Sequence, residues 1–229
     1  MNQSKYKYLS YILDENTPTY GNRNKFICEK KSDISKGDVA NDTSISTTVH
    51  IGTHIDMPYH FFDNGQTIED FDIDYFRFGT ILFIDIIPDD IIIKDDLISY
   101  LEKVKNKNSY ELIVIKTGIC ERRNTEEFWE KNYGFDPILA NYLRENFSNV
   151  RVLGFDSVSV SSFSNRLLGR EAHKAFLDPS KPILLLEDMD LTLLDKNSTI
   201  QKLNIVPLRI SKCDGLPCTI IAEIEQYEN

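Results

Sequence analysis

Residues Val49 to Phe62 read VHIGTHIDMPYHFF and hold three of the chain's four histidines, with one aspartate between the second and third. Imidazole nitrogens and carboxylate oxygens are the ligand atoms that divalent transition metals prefer. Imidazole is also the side chain best placed to move protons near neutral pH. The stretch therefore reads as a metal site with an acid/base beside it. His50, His54 and Asp56 are the candidate ligands. Three protein ligands leave positions open for water, as a catalytic metal requires. His60 fits either a fourth ligand or a group poised to exchange protons, and spacing alone leaves both open.

Parity and distance shape the stretch. His50, Gly52, His54, Asp56, Pro58 and His60 are all even, while Val49, Ile51, Ile55, Met57, Tyr59 and Phe61 are odd. An extended chain puts the two sets on opposite sides. Yet in a straight strand His50 and Asp56 would lie roughly 20 Å apart at ~3.3 Å per residue, whereas metal ligands converge at bonds of about 2.0–2.2 Å. The chain must bend. Gly52 permits the bend, and Pro58 stops a regular strand or helix from continuing.

The remaining sequence predicts one α/β domain with a mixed sheet, spanning residues 1–229 without repeat, low-complexity tract or linker. Thr80–Ile87, Glu111–Thr117, Val150–Phe155 and Ile183–Leu186 are apolar runs that fit buried strands. Tyr8–Leu13 and Ser44–His50 fit further strands, and Leu203–Ile210 with Thr219–Ile224 a closing pair joined by a turn at Asp214-Gly215. Helices are expected over Leu97–Val104, Asn124–Glu130, Ile138–Phe147 behind Asp136-Pro137, and Arg170–Leu177, which carries His173. The chain is 41% hydrophobic with no apolar run of membrane-spanning length. A net charge of -10 argues against nucleic acid, which demands clustered Lys and Arg. With no secretory signal at the N-terminus and no paired cysteine motif among Cys28, Cys120, Cys213 and Cys218, a cytoplasmic, reduced protein is expected, its cysteines structural. DSVSVSS lacks the GxSxG elbow of a serine hydrolase.

HIGTHIDMPYHF resembles the HxGTHxDxPxHF signature of the cyclase family of metal-dependent hydrolases, which includes bacterial kynurenine formamidases and isatin hydrolases. Fainter similarities cover most of the chain: TPTYG at Thr17–Gly21, KTGICERR, GFDSVS, REAHKAF with LLLEDMDL, and PLRISKCDGLPCTIIAEI. TPTYG lacks the family's proline before glycine, and Asp178-Pro179 lengthens the segment between His173 and Glu187. The resemblance implies a swivelling β/β/α-type fold and a homodimer or larger assembly. It implies His50, His54 and Asp56 as metal ligands, His60 as general acid/base, and His173 and Glu187 as completing a second metal position. Tyr20 matches an aromatic that lines the substrate pocket. Asp156 and Ser159 match family positions and are expected to stabilise a loop.

The implied cofactor is Zn²⁺, one or two per chain, or Mn²⁺. The implied chemistry is hydrolysis of an amide-type C–N bond, with a metal-activated water as nucleophile. An arylformamidase reaction leads, converting N-formylkynurenine to kynurenine and formate in tryptophan catabolism. An isatin hydrolase-like or other lactam or lactone hydrolase with one Mn²⁺ is the alternative. A non-catalytic metal or small-molecule binding module is the reading from another class. The expected partner is a small molecule, with neither nucleic acid nor membrane.

Overall fold

The structure, a computed structural model, describes residues 5–226. In chain order its elements are β1 (Tyr6–Tyr8), β2 (Ile27–Ser32), β3 (Asp42–Ser46), β4 (His54–Asp56), β5 (Arg77–Phe78), β6 (Ile81–Asp85), β7 (Ile92–Ile93), α1 (Asp95–Glu102), β8 (Leu112–Lys116), α2 (Glu126–Glu130), β9 (Gly134–Phe135), α3 (Ile138–Asn146), β10 (Val152–Phe155), α4 (Arg166–Phe176), β11 (Leu184–Glu187), β12 (Ser198–Pro207) and β13 (Gly215–Gln226).

The four apolar runs became the parallel half of the sheet, in the order β6, β8, β10, β11. Parallel neighbours need long crossovers, and α1, α3 and α4 lie in these connections. With both faces covered, Leu112 to Ile115 and Leu184 to Leu186 are completely or almost completely buried. The chain's two ends supply the antiparallel half, where β13 pairs β12 and β1, and β12 pairs β5. One short strand joins the halves: β4 runs antiparallel to β11 on one side and to β13 on the other. The sheet's far strands approach each other as β6 packs against β12, so the mixed sheet nearly closes into a barrel. Among the described residues no helix is long and apolar enough to cross a membrane.

Several elements differ from expectation, among them the closing pair, which runs Ser198–Pro207 with Gly215–Gln226 rather than Leu203–Ile210 with Thr219–Ile224, so that Gly215 opens a strand instead of sitting in the turn. The N-terminal strand is Tyr6–Tyr8 rather than Tyr8–Leu13, because hydroxyls then replace the ladder: Ile220 N–H donates to Ser10 Oγ and Tyr11 N–H to Thr53 Oγ1. The expected strand Ser44–His50 ends at Ser46, since β3 pairs only β2 in a separate hairpin and nothing extends the ladder towards the histidines. Helix α4 begins at Arg166, four residues before the expected start, because Asn165 caps it by accepting from Leu168 N–H.

Candidate active site

The bend at Gly52 is real, with φ at +57°. This is left-handed backbone that glycine tolerates best, and a Cβ there would lie 2.3 Å from Leu13 Cδ2. After the bend, β4 restores the alternation. Ile55 turns into the core with no exposed surface, while His54 and Asp56 turn to the opposite side. Register brings distant residues to them. Glu187, last in β11, sits opposite His54, and Gly215, first in β13, sits opposite Asp56. Pro58–His60 then forms a single 3₁₀ turn that presents His60.

Four expected ligands converge on one buried point. His54 Nε2 lies 3.4 Å from Asp56 Oδ1 and 3.4 Å from Glu187 Oε2. His173 Nε2, from α4, lies 3.5 Å from Asp56 Oδ2 and 3.9 Å from Glu187 Oε1. Each ring is fixed by its other nitrogen: His54 Nδ1–H donates to the Gly52 carbonyl at 2.8 Å and His173 Nδ1–H to the Gly169 carbonyl at 2.8 Å. That pairing leaves both Nε2 atoms facing the carboxylates. Burial disfavours a proton on them, but Asp56 and Glu187 favour it and raise both pKa values. A cation that displaced those protons would meet two lone pairs, an arrangement typical of metal-ligating histidines. Val160 N–H donates to Glu187 Oε1 at 2.7 Å and orients that carboxylate.

His50 stands beside this group. Its Nδ1 meets Asp56 Oδ1 at 2.9 Å and its Nε2 meets Asp214 Oδ2 at 2.8 Å. His60 Nδ1 also meets Asp214 Oδ2, at 2.9 Å. Because an ionised carboxylate only accepts, His50 donates from both nitrogens and is an imidazolium. Burial alone would push its pKa down, but the charge of Asp56 and the hydrogen bonds with Asp214 and Asp56 lift it to about 9. Hydrogen bonds from His50 and His60 hold Asp214 well below the usual carboxylate range. Burial disfavours ionised Asp56, yet the facing His50 charge and hydrogen bond, with His173 and His54 close by, keep it an anion.

These residues fit a divalent cation. Asp56 Oδ2 is buried without a hydrogen-bond partner, although an unmatched buried carboxylate oxygen is costly. Donor atoms of His50, His54 and Asp56 lie within 4.8 Å of one another, and so do those of Asp56, His60 and His173. Histidine protons balance the acids in the metal-free protein, and a cation could replace them.

A cavity of about 340 Å³ opens above the cluster, and Tyr20, Phe61 and Val158 contribute to its walls. The Tyr20 hydroxyl donates to the Ser162 carbonyl at 3.3 Å, and its ring meets Phe163 edge-on. Asp156 lies away from this cluster and accepts from Thr117 N–H, Thr117 Oγ1, Gly118 N–H and Cys120 N–H, while Ser159 Oγ accepts from Ser161 N–H. Both stabilise loops.

Sequence reasoning missed Asp214, which it treated only as a turn residue. No local signal marks it: Met57 N–H donates to the Asp214 carbonyl, so only the pairing of β13 with β4 brings it to the histidines. Arg23, Arg166 and Arg170 on the cavity wall were also missed.

Comparison with known proteins agrees with this geometry. The chain is 27% identical over 211 residues to the kynurenine formamidase of Geobacillus thermodenitrificans, covering 91% of this chain and 92% of that protein. It is 25% identical over 197 residues to cyclase-like protein 3 of Oryza sativa subsp. japonica, covering 82% and 67%. In fold it is similar to isatin hydrolase A from Labrenzia aggregata, with a TM-score of 0.77 and 20% identity over 97% of this chain and 94% of that one. The Cyclase family's sequence model matches residues 8–162, which include the whole histidine stretch and more than half of the chain. The chain belongs to the Cyclase family.

Proposed function

We propose that the protein is a metal-dependent hydrolase of an amide-type C–N bond, with an aryl formamide as substrate. The observation that carries the reading is the convergence of His54 Nε2 and His173 Nε2 with Asp56 and Glu187 around Asp56 Oδ2, which has no hydrogen-bond partner. His54, Asp56, His173 and Glu187 would hold the metal, and His50, whose ligand atom lies within 4.8 Å of those of His54 and Asp56, would join them on losing a proton. When bound, a divalent cation supplies a water of lowered pKa and polarises the substrate carbonyl. The ligand set suits Zn²⁺ and Mn²⁺ alike.

The chain's own residues do the rest. Asp214 holds the Nδ1–H of His60, which leaves Nε2 as the basic nitrogen on the cavity side. Nε2 takes a proton from the attacking water and returns it to the departing nitrogen. Tyr20 and Phe61 supply aromatic walls for an aryl group, and the cavity suits a substrate of one ring. The amide class is supported by the formamidase relatives, which align along nearly the whole chain. A homodimer or larger assembly is supported by the β2–β3 hairpin, which stands outside the main sheet and exposes Ile27, Val39 and Ile45.

The test pairs metal analysis with turnover of N-formylkynurenine, formanilide and isatin. At least one metal equivalent per chain and formamide cleavage are expected. His60→Ala should cost on the order of a hundredfold or more in turnover and keep the metal. Loss of metal in that variant would make His60 a ligand, and a folded protein that binds none would end the proposal.

A further inference from the structure

The arginines are unevenly employed. Of nine in the chain, Arg77, Arg122, Arg123 and Arg151 each pair with a carboxylate. Arg144 donates to the backbone carbonyls of Ala175, Phe176 and Lys181. Three of the remaining four, Arg23, Arg166 and Arg170, line the cavity above the candidate metal site. None has a carboxylate within ion-pair distance among the described residues, although acids outnumber bases 36 to 26.

Two of these guanidinium groups are held without being neutralised. Arg166 Cζ stacks 4.0 Å above the Phe163 ring centroid, and Arg23 Cζ lies 5.7 Å from the same centroid. Phe163 packs edge-on against Tyr20 at 5.3 Å, and directly on the loop at Gly21, where a Cβ would sit 2.5 Å from Phe163 Cε2. Stacking on an aromatic face fixes the guanidinium plane and leaves its N–H fork for another acceptor.

Helix α4 sets the spacing. His173, Arg170 and Arg166 fall at positions related by three and four residues, so they share one helix face. At 1.5 Å rise per residue, Arg170 stands about 4.5 Å and Arg166 about 10.5 Å along the axis from His173. The floor of the cavity thus carries the carboxylates and imidazoles that suit a cation, and its mouth carries unpaired positive charge. The positive end of the α4 dipole adds to that mouth.

We infer that the substrate is bipolar: its scissile carbonyl reaches the floor, and a carboxylate roughly one aromatic ring away is received by Arg23, Arg166 and Arg170. This rests on the proposed function for the scissile bond, but not for anion binding, so the two can fail separately. A planar fork matches a carboxylate bidentately, which favours that anion over a point charge.

The experiment compares 4-formamidobenzoate, formanilide and the para-trimethylammonium formanilide on the metal-loaded protein. The carboxylate is expected to be preferred by about tenfold or more in kcat/KM over formanilide, mostly through KM, since one charge-assisted bond corresponds to about that factor. In the double variant R166Q/R170Q the carboxylate-to-neutral ratio should fall to within about twofold of one. R166E/R170E should invert it towards the trimethylammonium substrate. R209Q, outside the cavity, should leave the ratio unchanged. Raising salt should narrow the wild-type ratio, because the three side chains are solvent-exposed. A binding arm uses the metal-free protein, so that no metal can bind the carboxylate: 4-aminobenzoate against aniline by calorimetry, in wild type and R166Q/R170Q. A carboxylate preference that R166Q/R170Q leaves intact, or no preference in either arm, overturns the inference. Preferential 4-aminobenzoate binding that R166Q/R170Q removes, without turnover of any formanilide, upholds the anion site and refutes the hydrolase reading.

Discussion

Replacing Asp214 with Asn tests the hydrogen-bond bridge that joins His50 and His60. A single oxygen, Oδ2, accepts from both rings at 2.8 and 2.9 Å, and Asn keeps the shape while removing the charge. Two consequences can be sized. For stability, the His50 pKa rises from 6.5 to about 9 on folding, which at 1.36 kcal/mol per pKa unit is about 3 kcal/mol. The ring is 23% exposed, so solvent screening brings this towards ~2 kcal/mol. A raised pKa stabilises fully below the unfolded value and is lost as pH rises through the folded one. The metal-free protein should therefore melt several degrees lower at pH 9.5 than at pH 6.5, at about 2–4 °C per kcal/mol for this length. Asp56 supplies the larger upward push and Asp214 the next, so Asp214→Asn should remove roughly half of that pH-dependent drop. For turnover, His60 loses a charged acceptor for a neutral one, worth about 1–2 kcal/mol, or roughly 5- to 30-fold in kcat/KM. Differential scanning fluorimetry at the two pH values and steady-state kinetics on the metal-loaded enzyme read the two effects. An unchanged melting difference together with wild-type kcat/KM would refute the bridge.

Asp56→Asn should lose most of the bound metal and roughly a hundredfold or more of turnover, measured by elemental analysis and kinetics, because it alters the carboxylate between His54 and His173. Metal binding at pH 7.5 should release about one proton per chain or more, since His50 must surrender a nitrogen proton to coordinate; calorimetry in buffers of different ionisation enthalpy would show it, and zero release would contradict the doubly donating His50. Gly215→Ala would place a Cβ 2.5 Å from His50 Cε1, so His50 must shift, with turnover falling at a cost of about 1–3 kcal/mol in stability by thermal melt. Arg123→Ala leaves Asp188 buried without the guanidinium that meets both its oxygens at 2.8 and 2.6 Å, and should lower stability by about 3–5 kcal/mol.

How much of this was legible in the sequence depends on the range of the interaction that decides each feature. The buried strands β6, β8, β10 and β11 were readable because a strand covered on both faces needs a continuous apolar run, and Leu184 to Leu186 have no exposed surface at all. The bend at Gly52 was readable because it is local: imidazoles six residues from a carboxylate cannot share a cation along a straight strand. Asp214 and the arginines were not, because their meaning is set by pairing across the chain. Asp214 before Gly215 looks like any turn until β13 is laid beside β4, 164 residues from Asp214 to its partner His50. Arg166 looked like loop until Asn165 proved to cap α4, and only then do Arg166, Arg170 and His173 share a face. His173 and Glu187 stand between these cases. The resemblance named them, but nothing around them in sequence gave either a partner; the partner is Asp56, delivered by a strand of three residues held on both edges. That strand explains why the site can be built at all. An antiparallel insert between a parallel sheet and an antiparallel one brings the carboxyl end of β11, the start of β13 and the histidine stretch to one point, and only the third of these carries a signal strong enough to be seen alone.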